Sequence, residues 1–114
     1  MRAAILRDDS GTLNVEDVSI DAPERNEVLI QTVASGLCHS DLHFIDGTWP
    51  AMYPMLLGHE AAGIVQAVGD DVYGIEPGDH VITCLSIFCG HCDRCLTGHS
   101  YICENRNTVS VRSP

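Results

Sequence analysis

The segment that decides the fold is FCGHCDRCLTGHSYIC, residues 88–103, because it holds four of the chain's six cysteines. Their spacing is C-x2-C-x2-C-x7-C. Cysteines two residues apart can present both sulfurs from one tight turn, and structural zinc sites use four such ligands in a tetrahedron. Gly90 and Gly98 provide the sharp bends that such a loop requires. The segment therefore predicts a closed zinc site that braces a loop, with Cys89, Cys92, Cys95 and Cys103 as the ligands.

Two other uses of these cysteines stay open at this point. Bacterial iron–sulfur runs also begin C-x2-C-x2-C, but their fourth cysteine follows after three residues and precedes proline. Here the gap is seven residues and Glu104 follows Cys103. Disulfides or free thiols are the third possibility. Cys84 lies outside the spacing pattern, and we expect it to be a small buried residue within a strand.

Composition excludes several classes of function. The 114 residues carry 16 acidic side chains against six arginines, no lysine, and a net charge of −10. Such a surface disfavours binding to nucleic acid or to anionic membranes. No apolar run approaches the roughly 18 residues of a membrane span, and the N-terminal apolar stretch is too short for a signal peptide. We therefore expect a cytoplasmic location with reduced thiols, which favours metal over disulfides.

Hydrophobic periodicity predicts a mainly β chain of the small-barrel type. Stretches rich in Val, Ile and Thr, several with period-two alternation, predict strands within residues 3–7, 12–20, 26–35, 61–72 and 76–87. Residues 38–46 lack that alternation and predict one short helix, closed by Gly47. Residues 48–54 contain two prolines and predict a loop. The cysteine segment is expected to be irregular, and residues 104–114 carry no clear element.

A second candidate site combines GLCHSDLH, residues 36–43, with GHE, residues 58–60. A lone cysteine or histidine in a β domain is more often structural than a ligand. Together, Cys38 and His59 look like two ligands of an open zinc site. Asp41 is available to fix the imidazole tautomer, and Glu60 stands beside the histidine.

These segments carry a resemblance to a known family. ASGLCHSDLH, PMLLGHEAAGIVQAVG, PGDHV and the cysteine segment occur in the same order, with similar gaps, in the zinc-dependent alcohol dehydrogenases of the medium-chain dehydrogenase/reductase family. The chain resembles the N-terminal catalytic-domain segment of that family, and is most similar to bacterial members, including those that act on thiol adducts of formaldehyde. The resemblance implies a GroES-like β-barrel with residues 88–103 as a protruding zinc lobe.

The resemblance also implies roles for the metal ligands and their neighbours. Cys38 and His59 would bind a catalytic zinc, and Glu60 would lie just behind the metal. Asp41 would accept a hydrogen bond from the His59 ring. The four cysteines of the lobe would bind a structural zinc.

Four further residues receive roles in the same way. Ser40 would take the substrate's hydroxyl proton and pass it through the cofactor ribose towards His43. His39 would face the cofactor pyrophosphate, and Trp49 would line the substrate pocket. Plainer interpretations stay open: Ser40 or Asp41 could cap the short helix, His43 could be a surface residue, and Trp49 could belong to the core.

The activity implied by the resemblance is oxidation of a small-molecule alcohol, or a thiol adduct of formaldehyde, by hydride transfer to NAD(P). A homo-oligomer is implied as well. The family's third catalytic ligand is a downstream cysteine, and no cysteine follows Cys103. No G-x-G-x-x-G fingerprint of a Rossmann cofactor domain is present. We therefore expect residues 1–114 to be a partial GroES-like catalytic domain that is inactive alone. The alternative is a stand-alone zinc-stabilised β-barrel binding module without catalysis.

Overall fold

A computed structural model describes residues 1–106 and shows a mainly β chain. The regular elements, in chain order, are β1 (Arg2–Leu6), β2 (Leu13–Asp17), β3 (Val28–Ser35), α1 (His39–Ile45), β4 (Met55–Leu56), β5 (Ala61–Val68), β6 (His80–Ile82), α2 (Asp93–Leu96) and a 3-10 turn (Ser100–Ile102). The chain divides into two compact units, Met1–Thr83 and a second that begins at Cys84. No helix within the described residues has the length and apolar character needed to cross a membrane.

The first sheet has the order β2-β1-β4 and is antiparallel throughout. β1 supplies its buried side chains, because Ile5 and Leu6 are only 8% and 0% exposed. β2 is mostly exposed, and its Glu16 forms an ion pair with Arg7, which directly follows β1. In this sheet, therefore, β1 supplies the buried core residues.

The second sheet, of order β3-β5-β6, positions the candidate site. β3 and β5 pair antiparallel from Val28↔Val68 to Ser35↔Ala61, with two register irregularities on the way. Val65 of β5 is 1% exposed and forms part of the core. Gly63 is required for close pairing, since a Cβ there would lie 2.3 Å from the Gln31 carbonyl oxygen. The register places the residues after β3 opposite the residues before β5.

The predicted short helix is confirmed as α1, with Cys38 as its N-cap. The backbone N–H of Cys38 donates to Asp41 Oδ2 at 3.3 Å, and the Asp41 N–H donates to the Cys38 carbonyl at 3.1 Å. Ser40 lies inside the helix, so the interpretation of Ser40 as the N-cap is wrong. Gly47 follows the helix with φ +75°, a conformation that glycine adopts without strain.

The predicted strands are confirmed, although most are shorter than their patterns suggested. The segment 76–87 yields only the three residues of β6. Cys84 follows that strand and is exposed, so the prediction of a buried strand cysteine is wrong. β4, a two-residue strand, was not predicted, because its length is too short to show any period.

The cysteine segment is more regular than predicted. It contains the single-turn helix α2 and the 3-10 turn. Gly90 and Gly98 adopt φ +80° and +81°, which confirms that both bends need glycine. The tail was expected to lack regular structure, and its residues 107–114 lie outside the described part of the chain.

Candidate metal centres

The antiparallel pairing of β3 with β5 brings the two predicted motifs together. Ser35 is opposite Ala61, and the ladder continues one step further as the Gly36 N–H donates to the Glu60 carbonyl at 2.9 Å. Cys38 therefore comes close to His59, although 21 positions separate them in the sequence. Pairing of this kind is non-local, so the site forms only when the sheet forms.

The possible ligand atoms of Cys38, His59 and Glu60 lie within 4.8 Å of one another. Cys38 and His59 are half-buried, and Glu60 is exposed. A thiolate, an imidazole and a carboxylate are the three ligand types that zinc accepts in proteins. Since their atoms already converge, this donor set fits a zinc ion.

Asp41 connects the helix cap to the candidate ligand His59. Its Oδ2 accepts the Cys38 N–H, while its Oδ1 lies 3.3 Å from His59 Nδ1. Asp41 is only 8% exposed, which makes it the one buried charged residue among those described. With Nδ1 directed at the carboxylate, His59 Nε2 is left to bind a metal. The capping interpretation of Asp41 is confirmed through Oδ2, while Oδ1 is left within ion-pair distance of the His59 ring.

Ser40 borders the same space. Its Oγ donates to Cys38 Sγ at 3.2 Å and lies 3.5 Å from His59 Nε2. A hydroxyl in that position faces whatever binds between the two ligands. The structure thus places Ser40 beside the candidate metal position.

A stack of rings lies on α1 and the loop that follows it. His43 lies between His39 and Trp49, with ring centroids 4.8 Å away on each side. Trp49 also meets Phe44 edge-on at 5.5 Å and is 44% exposed, so the core interpretation of Trp49 is wrong. His43 is half-buried, and its Nδ1 is the one buried side-chain nitrogen or oxygen without a hydrogen-bond partner in the described residues. His43 is therefore not a plain surface histidine.

The four cysteines of the lobe form the second centre. Their sulfurs converge within 4.8 Å, with Sγ–Sγ distances of 4.0 Å for Cys89–Cys95, 3.5 Å for Cys92–Cys95 and 3.9 Å for Cys92–Cys103. A tetrahedral zinc with Zn–S bonds of about 2.3 Å separates its sulfurs by about 3.8 Å. The donor set therefore fits a single zinc ion.

The rival uses of the four cysteines fit these distances less well. Each cysteine of a four-iron cluster binds a different iron, which holds the sulfurs farther apart than a single ion does. All six cysteines of the chain are free, and a disulfide needs its sulfurs about 2.05 Å apart. One ion bound by four sulfurs accounts best for the observed spacing.

Local hydrogen bonds and burial shift the pKa values of three lobe cysteines in different directions. The backbone N–H of His91 lowers the pKa of Cys89 to about 6. The backbone N–H of Cys95 likewise lowers the pKa of Cys92. Burial raises the pKa of Cys95 to about 12. The Cys95 thiol therefore holds its proton more firmly than the Cys89 thiol does, and binding of a metal by all four sulfurs would displace it.

Two residues near these centres were missed at the level of sequence. The Asn105 side-chain amide donates to Cys89 Sγ at 3.5 Å and so stabilises the thiolate. Thr83 contacts the backbone on both sides of Glu60. The remaining histidines, His80, His91 and His99, are all exposed. No short motif marks Asn105 or Thr83, because their partners are set by the fold.

Comparison with known families identifies the class of protein. The alcohol dehydrogenase GroES-like domain family matches residues 24–111, and the chain belongs to this family. The match confirms both the predicted family and the mainly β, GroES-like fold.

Individual relatives agree with this assignment. An NDMA-dependent alcohol dehydrogenase of Amycolatopsis methanolica is 41% identical over 95% of the chain and 29% of the relative. An S-(hydroxymethyl)glutathione dehydrogenase of Saccharomyces cerevisiae is 42% identical over 89% of the chain and 26% of the relative. An alcohol dehydrogenase zinc-binding domain protein from Burkholderia ambifaria superposes with a TM-score of 0.80, at 40% identity over 95% of this chain and 29% of that one. The chain thus spans under a third of the proteins that it matches.

Proposed function

We propose that this chain is the zinc-binding N-terminal part of an alcohol dehydrogenase catalytic domain. The full-length protein, meaning the polypeptide of which this chain is a part, would oxidise a small-molecule alcohol, or a thiol adduct of formaldehyde, by hydride transfer to NAD(P). The observation that carries the proposal is the convergence of Cys38, His59 and Glu60, with the carboxylate of the buried Asp41 3.3 Å from His59 Nδ1. Relatives that are alcohol dehydrogenases and an S-(hydroxymethyl)glutathione dehydrogenase support it.

In this proposal Cys38 and His59 hold the reactive zinc. Zinc bound there would supply Lewis acidity, which eases the loss of a proton from an alcohol. Asp41 keeps the His59 ring oriented and favours the tautomer with a proton on Nδ1. The Glu60 carboxylate is close enough to take a coordination position, and the family resemblance assigns the remaining protein ligand to a segment beyond this chain.

Ser40 and His43 would move the proton. Ser40 Oγ, which lies near both Cys38 Sγ and His59 Nε2, would accept the substrate's hydroxyl proton. The buried Nδ1 of His43 would receive a hydrogen bond from the bound cofactor, since the described residues give it no partner. An imidazole exchanges protons near neutral pH and so suits the last step to solvent. His39, exposed on the same helix, would face the cofactor phosphates, and Trp49 would line the substrate pocket.

The four-cysteine lobe would bind a structural zinc without taking part in the reaction. Its ligands are all sulfurs and leave no position for a substrate. The free state of the six cysteines agrees with a reducing, cytoplasmic location. The family resemblance further supports a Rossmann cofactor domain outside this chain and a homo-oligomeric assembly.

Zinc content and turnover together test this assignment. Full-length protein purified without added metal should contain two zincs per chain and reduce NAD(P) when supplied with a primary alcohol or with S-(hydroxymethyl)glutathione. His59→Gln should retain one zinc and lose turnover, while the matched control His80→Gln, at an exposed histidine of β6, should keep both. A His59→Gln protein with two zincs and undiminished turnover would refute the proposal.

A further inference from the structure

Thr83 makes three hydrogen bonds to the short segment that carries His59. Its backbone N–H donates to the Ala61 carbonyl at 2.9 Å. Its hydroxyl donates to the His59 carbonyl at 2.7 Å and accepts the Ala61 N–H at 3.0 Å. One side chain thus satisfies two backbone groups that flank Glu60.

These bonds extend the sheet beyond its last regular pair. The β5–β6 ladder ends with Ala62↔Ile82, and β5 itself begins at Ala61. No backbone group of β6 reaches His59, so the Thr83 hydroxyl takes the place of a strand partner. Such a bond fixes the backbone position of a residue that regular pairing would leave free.

The opposite edge of the same segment is held as well. The Gly36 N–H donates to the Glu60 carbonyl at 2.9 Å. A Cβ at Gly36 would lie 2.2 Å from Glu60 Oε2 and 3.1 Å from Glu60 Cβ, which shows how tightly this side is packed. The backbone from His59 to Ala61 is therefore held between β3 on one side and Thr83 on the other.

We propose that Thr83 is a positioning residue for the metal site, which holds the His59 backbone so that its ring meets Cys38 and a bound zinc. This inference rests on the proposed function of the Cys38/His59 site. Asp41 orients the ring, whereas Thr83 fixes the main chain from which that ring extends. Because Thr83 is exposed and its bonds compete with water, its hydroxyl should matter more for ligand placement than for overall folding.

The test compares Thr83→Val, which removes the hydroxyl at nearly constant shape, with Thr83→Ser, which keeps it. Thr32→Val serves as the matched control, since Thr32 is an exposed threonine of the same sheet. Full-length protein is titrated with Co²⁺, whose visible absorption distinguishes mixed sulfur–nitrogen ligation from the four-sulfur lobe. Amide hydrogen exchange at Ala61 reports on the Thr83 bond without reference to metal.

We expect Thr83→Val to weaken Co²⁺ binding at the mixed site by about tenfold, the lower end of the range for residues that support metal ligands. Exchange at the Ala61 amide should accelerate, the lobe should keep its metal, and Thr83→Ser and Thr32→Val should match the wild type. Equal affinity in Thr83→Val and wild type would overturn the inference. Equal losses in the Val and Ser variants, or loss of lobe metal as well, would also overturn it, because either result means a general packing role.

The proposed function can fail separately. A wild-type protein that binds Co²⁺ in the lobe alone would refute the Cys38/His59 metal site and, with it, the positioning of a metal ligand. Faster Ala61 exchange in Thr83→Val but not in Thr83→Ser would then still identify the hydroxyl as the group that holds this backbone. Unchanged Ala61 exchange in every variant would refute that structural role too.

Discussion

Replacement of Asp41 by asparagine tests whether Asp41 orients the metal ligand His59 or mainly stabilises helix α1. The substitution keeps size and one acceptor oxygen, but it removes the charge. The Asp41 side chain makes two polar contacts, to the Cys38 N–H and to His59 Nδ1, both at 3.3 Å. An asparagine can retain one of these contacts through its single oxygen and must lose or reverse the other.

The magnitude follows from burial and contact length. Hydrogen bonds to a charged group contribute about 1.5–3 kcal/mol, and neutral ones about 1 kcal/mol. Since both contacts are long and one can persist, we expect Asp41→Asn to lower the free energy of unfolding by about 1 kcal/mol. Loss of the carboxylate behind a metal-bound histidine typically costs 10–100-fold in metal affinity. The effect on zinc should therefore exceed the effect on folding.

Competitive zinc titration against a chelating dye would measure the affinity of the Cys38/His59 site, and thermal unfolding would measure stability. Asp46→Asn is the matched control, because Asp46 is an exposed acid at the other end of α1, hydrogen-bonded to Thr48. We expect Asp46→Asn to leave zinc affinity unchanged. If Asp41→Asn binds zinc as tightly as the wild type, the argument that Asp41 orients His59 is wrong.

Four further substitutions test other parts of the structure. Cys95→Ser should release the lobe zinc and lower the melting temperature strongly, because metal binding at such sites supplies folding free energy on the order of 10 kcal/mol. Cys38→Ser should barely change the melting temperature. Equal melting temperatures in the two variants would contradict the assignment of a structural role to the lobe alone. Gly36→Ala should displace the Glu60 carboxylate, because the new Cβ would lie 2.2 Å from Glu60 Oε2. The measured result is an altered rate of metal exchange at the Cys38/His59 site, and the lobe zinc, which should not change, is the control. Gly63→Ala should destabilise the protein by about 1–3 kcal/mol in denaturant titration, because its Cβ would strike the backbone of β3; a stable variant would refute that packing.

The lobe could be predicted from sequence almost completely. Its four ligands lie within 15 residues of one another, so their spacing alone restricts the geometry of a shared ion. What the pattern did not show was the helical turn of α2 or the amide of Asn105 beside Cys89. Both depend on how the loop closes, and no residue spacing encodes that closure.

The Cys38/His59 site was predicted only by the pairing of two motifs. A cysteine and a histidine 21 positions apart have no fixed separation in space until β3 and β5 pair. Asp41 was expected to serve either as a cap or as a partner for His59, and in the structure one oxygen accepts the Cys38 N–H while the other lies 3.3 Å from His59 Nδ1. One carboxylate can thus make both contacts that the sequence offered as alternatives.

Cys84 shows where pattern reasoning failed. The run of apolar residues around it predicted a continuing strand, but β6 ends at Ile82 and leaves Cys84 exposed. A segment forms a strand only where a neighbouring strand pairs with it, and residue propensity does not show where that neighbour ends.

The sequence by itself determined the chemical types present: four thiols at metal spacing, a Cys/His pair with an acid nearby, and alternating strands to carry them. Local spacing suffices there because covalent geometry restricts neighbours in the chain. The tertiary structure alone decided which groups bond the backbone around His59. The Thr83 hydroxyl reaches the His59 carbonyl, and the Gly36 N–H reaches the neighbouring Glu60 carbonyl, across two different strand pairings. Contacts of this kind come from register, and register is set by the burial of whole strand faces rather than by any one motif.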